Sequence, residues 1–215
     1  MSKQPSYDRI LHTARRLFFE HGFEKVSTDR LAREAAVSKA SIYRHFENMA
    51  DILRCVTEAE AVKFREVTPP KTETIPELRE ALVRYGIKLL TFLNARDTTE
   101  FARLMHEEAR GNPHIGQTFF DAAYGQTQKD FALMFQSAQT NGVLSDTTDP
   151  MDIAEDLMGL LEGLGMVRVQ LGVIKVPYID VEKRTTRAVA TILRMHEATP
   201  KPARSKGRPS HDPDL

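Results

Sequence analysis

Tryptophan is absent from this chain, and a single cysteine, Cys55, permits no internal disulfide. That fits a reducing compartment. No apolar run reaches the roughly 20 residues needed to cross a bilayer, and the opening stretch MSKQPSYDR lacks the apolar core of a secretion signal. The expectation is a soluble, cytoplasmic protein. Enzyme signatures are missing too. His106-Glu107-Glu108-Ala109-Arg110 has arginine where an HExxH zinc motif needs its second histidine, and the seven histidines are scattered. With no GxSxG elbow, no glycine-rich phosphate loop and no CxxC pair, nothing implies catalysis, a metal or a cofactor. Alternation of period two is also lacking over any useful length, which points to an all-α fold.

Net charge is the last absence: 30 Lys and Arg balance 30 Asp and Glu. The balance hides a gradient. Residues 1–66 hold 12 basic against 10 acidic side chains, residues 67–182 hold 10 against 17, and residues 183–215 hold 8 against 3. An acidic middle segment is a poor partner for a polyanion, so any nucleic-acid surface must be local to the N-terminal part.

What is present there is the stretch from Ser27 to Phe46, STDRLAREAAVSKASIYRHF. Ser27 reads as the N-cap of a short helix with Leu31, Ala32 and Ala35 inward, Ala36-Val37 as a turn, and Ser38 as the cap of a second helix with Ile42 and Phe46 inward. Lys39, Ala40, Ser41, Tyr43, Arg44 and His45 are left outward. That face carries cations, hydroxyls and a methyl but no carboxylate of its own, which suits a helix entering a major groove.

The segment from Asp8 to Leu53 resembles the DNA-binding domain of the TetR (AcrR-like) family. The resemblance rests on Phe19-Glu20-His21-Gly22-Phe23, Ser27-Thr28, Leu31 to Lys39, and Ile42-Tyr43-Arg44-His45-Phe46, in order and at the right spacing. It implies an N-terminal three-helix helix-turn-helix domain over residues 1–50, a connecting fourth helix over 48–67, a C-terminal helical effector-binding and dimerisation domain over 68–198, and a basic tail over 199–215. It also implies Lys39, Ala40 and Arg30 near base edges. Thr28, Ser41, Tyr43 and His45 match family positions that hold phosphates, and Asn48 offers another such contact. The chain departs from the family at Ala36, where glycine is usual in the turn. If that residue has positive φ, alanine costs about 1 kcal/mol. Ala40 replaces a frequent glycine, and Met49 stands where a phosphate-binding lysine is common, which should flatten the salt dependence of binding.

Further signals place the remaining helices. Helix one runs from about Tyr7 to His21 with Ile10, Leu11, Ala14, Leu17 and Phe18 as its stripe and Gly22 as C-cap. Its Arg15 and Arg16 read as a solvated face. Helix four carries Ile52, Leu53, Val56, Ala59 and Val62 and stops before Pro69-Pro70; Cys55 on it reads as a buried structural thiol. Val67 to Pro76 is the candidate linker. Helices are then expected over Pro76–Ala95, from a capping box at Asp97-Thr98-Thr99-Glu100 to Gly111, as one or two helices over His114–Thr140, over Asp149–Leu171 and over Tyr178–Ala198.

The middle helices are rich in aromatic and thioether groups. Such side chains suit an apolar ligand, although for any single one a core position is the preferred reading. The resemblance favours an effector site, for which Phe92, Met105, His106, Phe120, Tyr124, Phe131 and Met158 are the candidates. In the family the last two long helices form a four-helix dimer interface. Here that implies Gly159, Gly163, Leu164, Val167, Val189 and Ile192, with the glycines permitting close helix approach. The functional expectation is a homodimeric repressor, released from a near-palindromic double-stranded DNA operator by a small, mainly hydrophobic effector. An activator or ligand-independent regulator of the same fold is the alternative within the class, and a helical protein-interaction scaffold the one outside it. Lys206-Gly207-Arg208-Pro209 is similar to an AT-hook core, but a solvated basic tail is the preferred reading.

Overall fold

The computed structural model describes residues 5–61 and 72–196, and every regular element within them is helical. The N-terminal head comprises α1 (Pro5–His21), α2 (Thr28–Glu34), α3 (Lys39–His45) and α4 (Met49–Ala61). Ile10, Ala14, Leu17 and Phe18 recur at helical spacing on α1 and are fully buried, with Thr13 rather than Leu11 completing the buried face. They close on Leu31 of α2, Ile42 of α3, Phe46, and Ile52 and Leu53 of α4. Each large apolar side chain so buried contributes about 1.5–3 kcal/mol. Asn48 caps α4, its Oδ1 accepting from the Asp51 amide at 2.9 Å.

Beyond Val56 the stripe of α4 changes side. Ala59, expected inward, is exposed, whereas Thr57 and Glu60 are buried. α4 packs on α7 and the π turn that follows it as well as on α1, and Glu60 is held by Arg15 of α1. Residues 62–67 of the expected fourth helix, with Val62, and residues 67–71 of the linker 67–76 lie outside the described residues, as does the 199–215 tail with its KGRP segment.

The body comprises α5 (Ile75–Asn94), α6 (Arg96–Gly111), α7 (Pro113–Phe120), a π-helical turn (Asp121–Gly125), α8 (Gln126–Thr140), α9 (Pro150–Glu162), α10 (Gly165–Gln170) and α11 (Val181–His196). Its core lies where α5, α8, α9 and α11 meet, around Leu82, Leu89, Phe131, Phe135, Leu157 and Leu161. Val189 and Ile192 belong to this core at 0% exposure, since α11 turns them onto α5 and α9. That corrects their assignment to a dimer interface. The capping box is also not where it was expected. α6 begins at Arg96 without a side-chain cap, and Thr99 Oγ1 instead donates to the Arg96 carbonyl at 2.8 Å. The side-chain cap belongs to α5, where Thr74 Oγ1 accepts from the Glu77 amide at 3.3 Å.

The expected Asp149–Leu171 helix breaks at Gly163. There φ is +49° and ψ is −129°, a conformation only glycine tolerates readily, so α9 and α10 are separate. Gly165 does mark a close approach, but of the Pro177-Tyr178 loop rather than of another helix: a Cβ there would meet the Tyr178 ring and the Pro177 carbonyl. Among the described residues no helix is long and apolar enough to cross a membrane.

Candidate functional site

The turn between α2 and α3 is closed by backbone geometry. Val37 N–H donates to the Ala32 carbonyl at 3.0 Å and Ala36 N–H to Arg33 at 3.3 Å, the paired bonds of a Schellman ending with Ala36 in the left-handed position, φ +51°. Alanine thus holds the conformation that the departure from glycine put in question. Ser27 Oγ accepts from the Arg30 amide at 3.2 Å and Ser38 Oγ from Ser41 at 3.1 Å, so both short helices start with a satisfied cap. Ile42 faces inward, and Lys39, Ala40, Tyr43 and Arg44 stand exposed on the outside of α3.

Partners distinguish these side chains. Tyr43 is 57% exposed, and Arg44 Nη2 donates to Ser41 Oγ at 3.1 Å. Lys39 Nζ lies 2.5 Å from Asp29 Oδ1 of α2, a bond that raises the lysine's pKa. α3 contributes no carboxylate to this face, as expected, but α2 brings one up to it. Arg30 is engaged by Glu34 at 3.1 Å and by His21 Nε2 at 2.6 Å, on the side of α1. His45 Nε2 is bonded to Ser6 Oγ at 2.8 Å and sits edge-on to Tyr7. Thr28 is half-buried, and Asn48 is exposed while serving as a cap. Met49 packs on the head's core.

Arg16 lies on the solvated face of α1, as expected, whereas Arg15 is half-buried. Arg16 pairs with Glu20 and Glu34. Arg15 ties α1 to α4 within the head, its Nε donating to Glu60 Oε1 at 2.6 Å, and reaches the body through Asp97 of α6, 3.4 Å from its Nη2. Its guanidinium also lies 4.6 Å from the Phe19 ring centroid, and Phe19 in turn stacks on Phe101 of α6 at 4.6 Å. Cys55 is half-buried, and burial pushes its thiol pKa up, away from the reactive thiolate.

Glu60 also lines a cavity between α4 and the body, together with Thr57, Leu89, Phe92, Leu93, Thr98, Phe101, Ala102, Phe119, Ala123, Tyr124, Thr127, Met158 and Glu162. Its volume is about 60 Å³, so it is narrow. The π turn adds a residue to the helical repeat where Ala123 and Tyr124 line the wall; such turns are frequent at functional sites. Burial pushes the Tyr124 phenol up to about 12 and the Glu162 carboxyl up to about 7.

Comparison with known proteins identifies the architecture. The family model for bacterial regulatory proteins of the tetR family matches residues 10–56, and that for the AefR-like transcriptional repressor C-terminal domain matches residues 80–198. The chain belongs to the TetR family. An uncharacterised HTH-type transcriptional regulator of Mycobacterium tuberculosis is 27% identical over 160 residues, 74% of this chain and 73% of the relative. Among solved structures, a flavonoid-responsive regulator, FrrA, is 25% identical with a TM-score of 0.72, covering 89% of this chain and 97% of its own. A TetR regulator from Agrobacterium tumefaciens has 23% identity and the same TM-score of 0.72, over 91% of this chain and 96% of its own. The second of these likenesses concerns fold alone. This TetR-family chain is accordingly a DNA-binding transcriptional regulator and not an enzyme.

Of the expected effector residues, Phe92, Tyr124 and Met158 line this regulator's cavity. The others are corrected. Met105 and Phe131 are core residues at 0% exposure, and Phe120, next to Phe119 in the chain, is 51% exposed. His106 is exposed, its Nδ1 2.8 Å from Gln170 Nε2, and partial desolvation of its ring lowers its pKa. Sequence reasoning missed Thr57, Glu60 and Glu162. Their signal is slight: polar residues interrupting apolar helix faces, which periodicity counts as solvent-facing.

Proposed function

We propose that this regulator is a repressor that binds a near-palindromic operator as a homodimer in the cytoplasm and releases it when a small, mainly hydrophobic effector enters the cavity against α4. The observation carrying the DNA side is the outward face of α3, where Lys39, Ala40, Ser41, Tyr43 and Arg44 surround a helix held rigidly by two capped turns. Lys39 and Ala40 read base edges, Lys39 exchanging Asp29 for the groove; Tyr43 and Ser41 grip phosphate. Thr28, His45 and Asn48 flank the same surface, and Arg30 supports α2 through Glu34.

The dimer surface is the apolar stretch from α9 to the loop after α10. Leu160, Leu164, Val167, Leu171, Val173, Val176 and Ile179 are exposed by 39–80% there, and Gly159 has nothing within 4 Å of a built Cβ. A concentration of exposed apolar groups is what association would cover. Two-fold pairing then presents two α3 helices to successive major grooves. The link from cavity to head is Glu60, which borders the cavity on one side and holds Arg15 of α1 on the other. An occupant that repositions α4 shifts the head and its spacing to the second copy. A relative described as flavonoid-responsive supports a small organic effector.

The test is selection of bound duplexes from a random pool, followed by titration of the enriched operator. Tyr43→Ala should weaken binding to every duplex, while Lys39→Ala should change the preferred sequence. Equal, uniform losses from both would contradict this division. A sedimentation result of monomer at micromolar concentration would remove the dimer.

A further inference from the structure

Resting on the reading of the cavity as the effector site, the residues of its wall determine which charge it accepts. Among the described residues no lysine, arginine or histidine lines it, whereas two carboxylates, Glu60 and Glu162, and the rings of Phe92, Phe101, Phe119 and Tyr124 do. The carboxylates differ. Glu60 is already committed to Arg15. Glu162 is the last residue of α9, where the helix's terminal carbonyls add negative potential. Among the described residues it has no hydrogen-bond or ion-pair partner. The cation that acts on it from α11, Arg184, is spent elsewhere: its Nε donates to the Leu161 carbonyl and its guanidinium lies 5.4 Å from the Tyr178 ring centroid.

An occupant can therefore do three things at this end of the cavity. An anion meets Glu162 and the helix C-terminus, and is repelled. A neutral apolar molecule fills space but leaves the carboxylate unpaired, which is costly for a buried charge. A cation pairs with Glu162 and is attracted to the rings. We propose that the cavity takes a slender lipophilic cation, its apolar part among Phe92, Phe101, Phe119 and Met158 and its positive group against Glu162 and Tyr124. Slenderness follows from the narrow free space.

The pairing has a pH signature. Burial holds the Glu162 carboxyl at about 7, against Arg184, which pulls it down. The other titratable groups facing it are Tyr124, Tyr178 and, along the cavity wall, Glu60. A cation binds the ionised form, so its affinity should rise roughly tenfold from pH 6 to pH 8, as the ionised fraction goes from about a tenth to about nine tenths.

Isothermal titration of the full chain with n-octylammonium, 1-octanol and octanoate at pH 7.5 tests this. The ammonium ion should bind at least tenfold tighter than the alcohol, with octanoate weakest. Glu162→Gln should bring ammonium to within about threefold of the alcohol and leave the alcohol unchanged. On the parent chain alone, ammonium binding should tighten from pH 6 to pH 8 while octanol binding stays flat, so the reading is tested even if the variant does not fold. Octanol equal to ammonium, octanoate tightest, or parallel pH profiles would overturn the cation while leaving the effector cavity standing. No binding by any of the three would overturn both.

Discussion

Ala36→Gly should stabilise this protein, although it removes a methyl group and loosens the chain. Ala36 occupies the left-handed position after α2 at φ +51°, and its neighbours' Schellman bonds hold it there. An L-residue with a Cβ costs about 1–2 kcal/mol in that region relative to glycine. Against this, glycine adds unfolded-state freedom worth about 0.4–1 kcal/mol. The lost methyl matters little because Ala36 is exposed. The net expectation is about 0.5–1 kcal/mol of added stability, or about 1–4 °C in Tm for a chain of this size. Urea and thermal unfolding at one fixed protein concentration measure it, since dimer formation would otherwise move the midpoint. Ala35→Gly is the matched control: Ala35 is buried at φ −80°, so glycine there should destabilise by about 1 kcal/mol. If Ala36→Gly destabilises as much as Ala35→Gly, the left-handed strain at this turn is not real and the argument fails.

Other expectations address the body and its joint with the head. Arg15→Ala removes the guanidinium bonded to Glu60, whose side chain is only 11% exposed, and should cost about 1–3 kcal/mol; an unchanged urea midpoint would show that the link contributes nothing. Gly165→Ala places a Cβ against the Tyr178 ring and the Pro177 carbonyl, and should destabilise by about 1–3 kcal/mol, with a wild-type midpoint as the refuting result. Burial pushes the Glu162 carboxyl up to about 7, above the ordinary 4.5, so the folded state holds the extra proton and stability should fall as pH rises between those values. The fall is about 3 kcal/mol. Glu162→Gln should abolish this slope and be more stable than the parent at pH 8; identical pH profiles would show that the carboxyl is not buried as described.

The helix-turn-helix was legible because its information is local. Ser27 and Ser38 cap the helices that follow them within three residues, and Leu31, Ala32 and Ile42 face inward by helical spacing alone. Even the strain at Ala36 followed from the residue type at one turn position. The body was legible only as helices. His106 and Phe120 have the chemistry of a ligand site but stand on the surface, while Met105 and Phe131 went to the core.

What the amino-acid order determined by itself was the helical character, the caps and the outward face of α3, because each depends on side chains within a few residues of one another. Which groups border the cavity, that Arg15 clasps Glu60, that Gly163 divides α9 from α10, and that Val189 and Ile192 turn inward depended on packing between distant segments. Burial of one helix face is an outcome of what lies opposite it, and the opposite partner is 45 residues away for Arg15 and Glu60. No period within a single helix encodes that choice, so only the assembled structure could decide it.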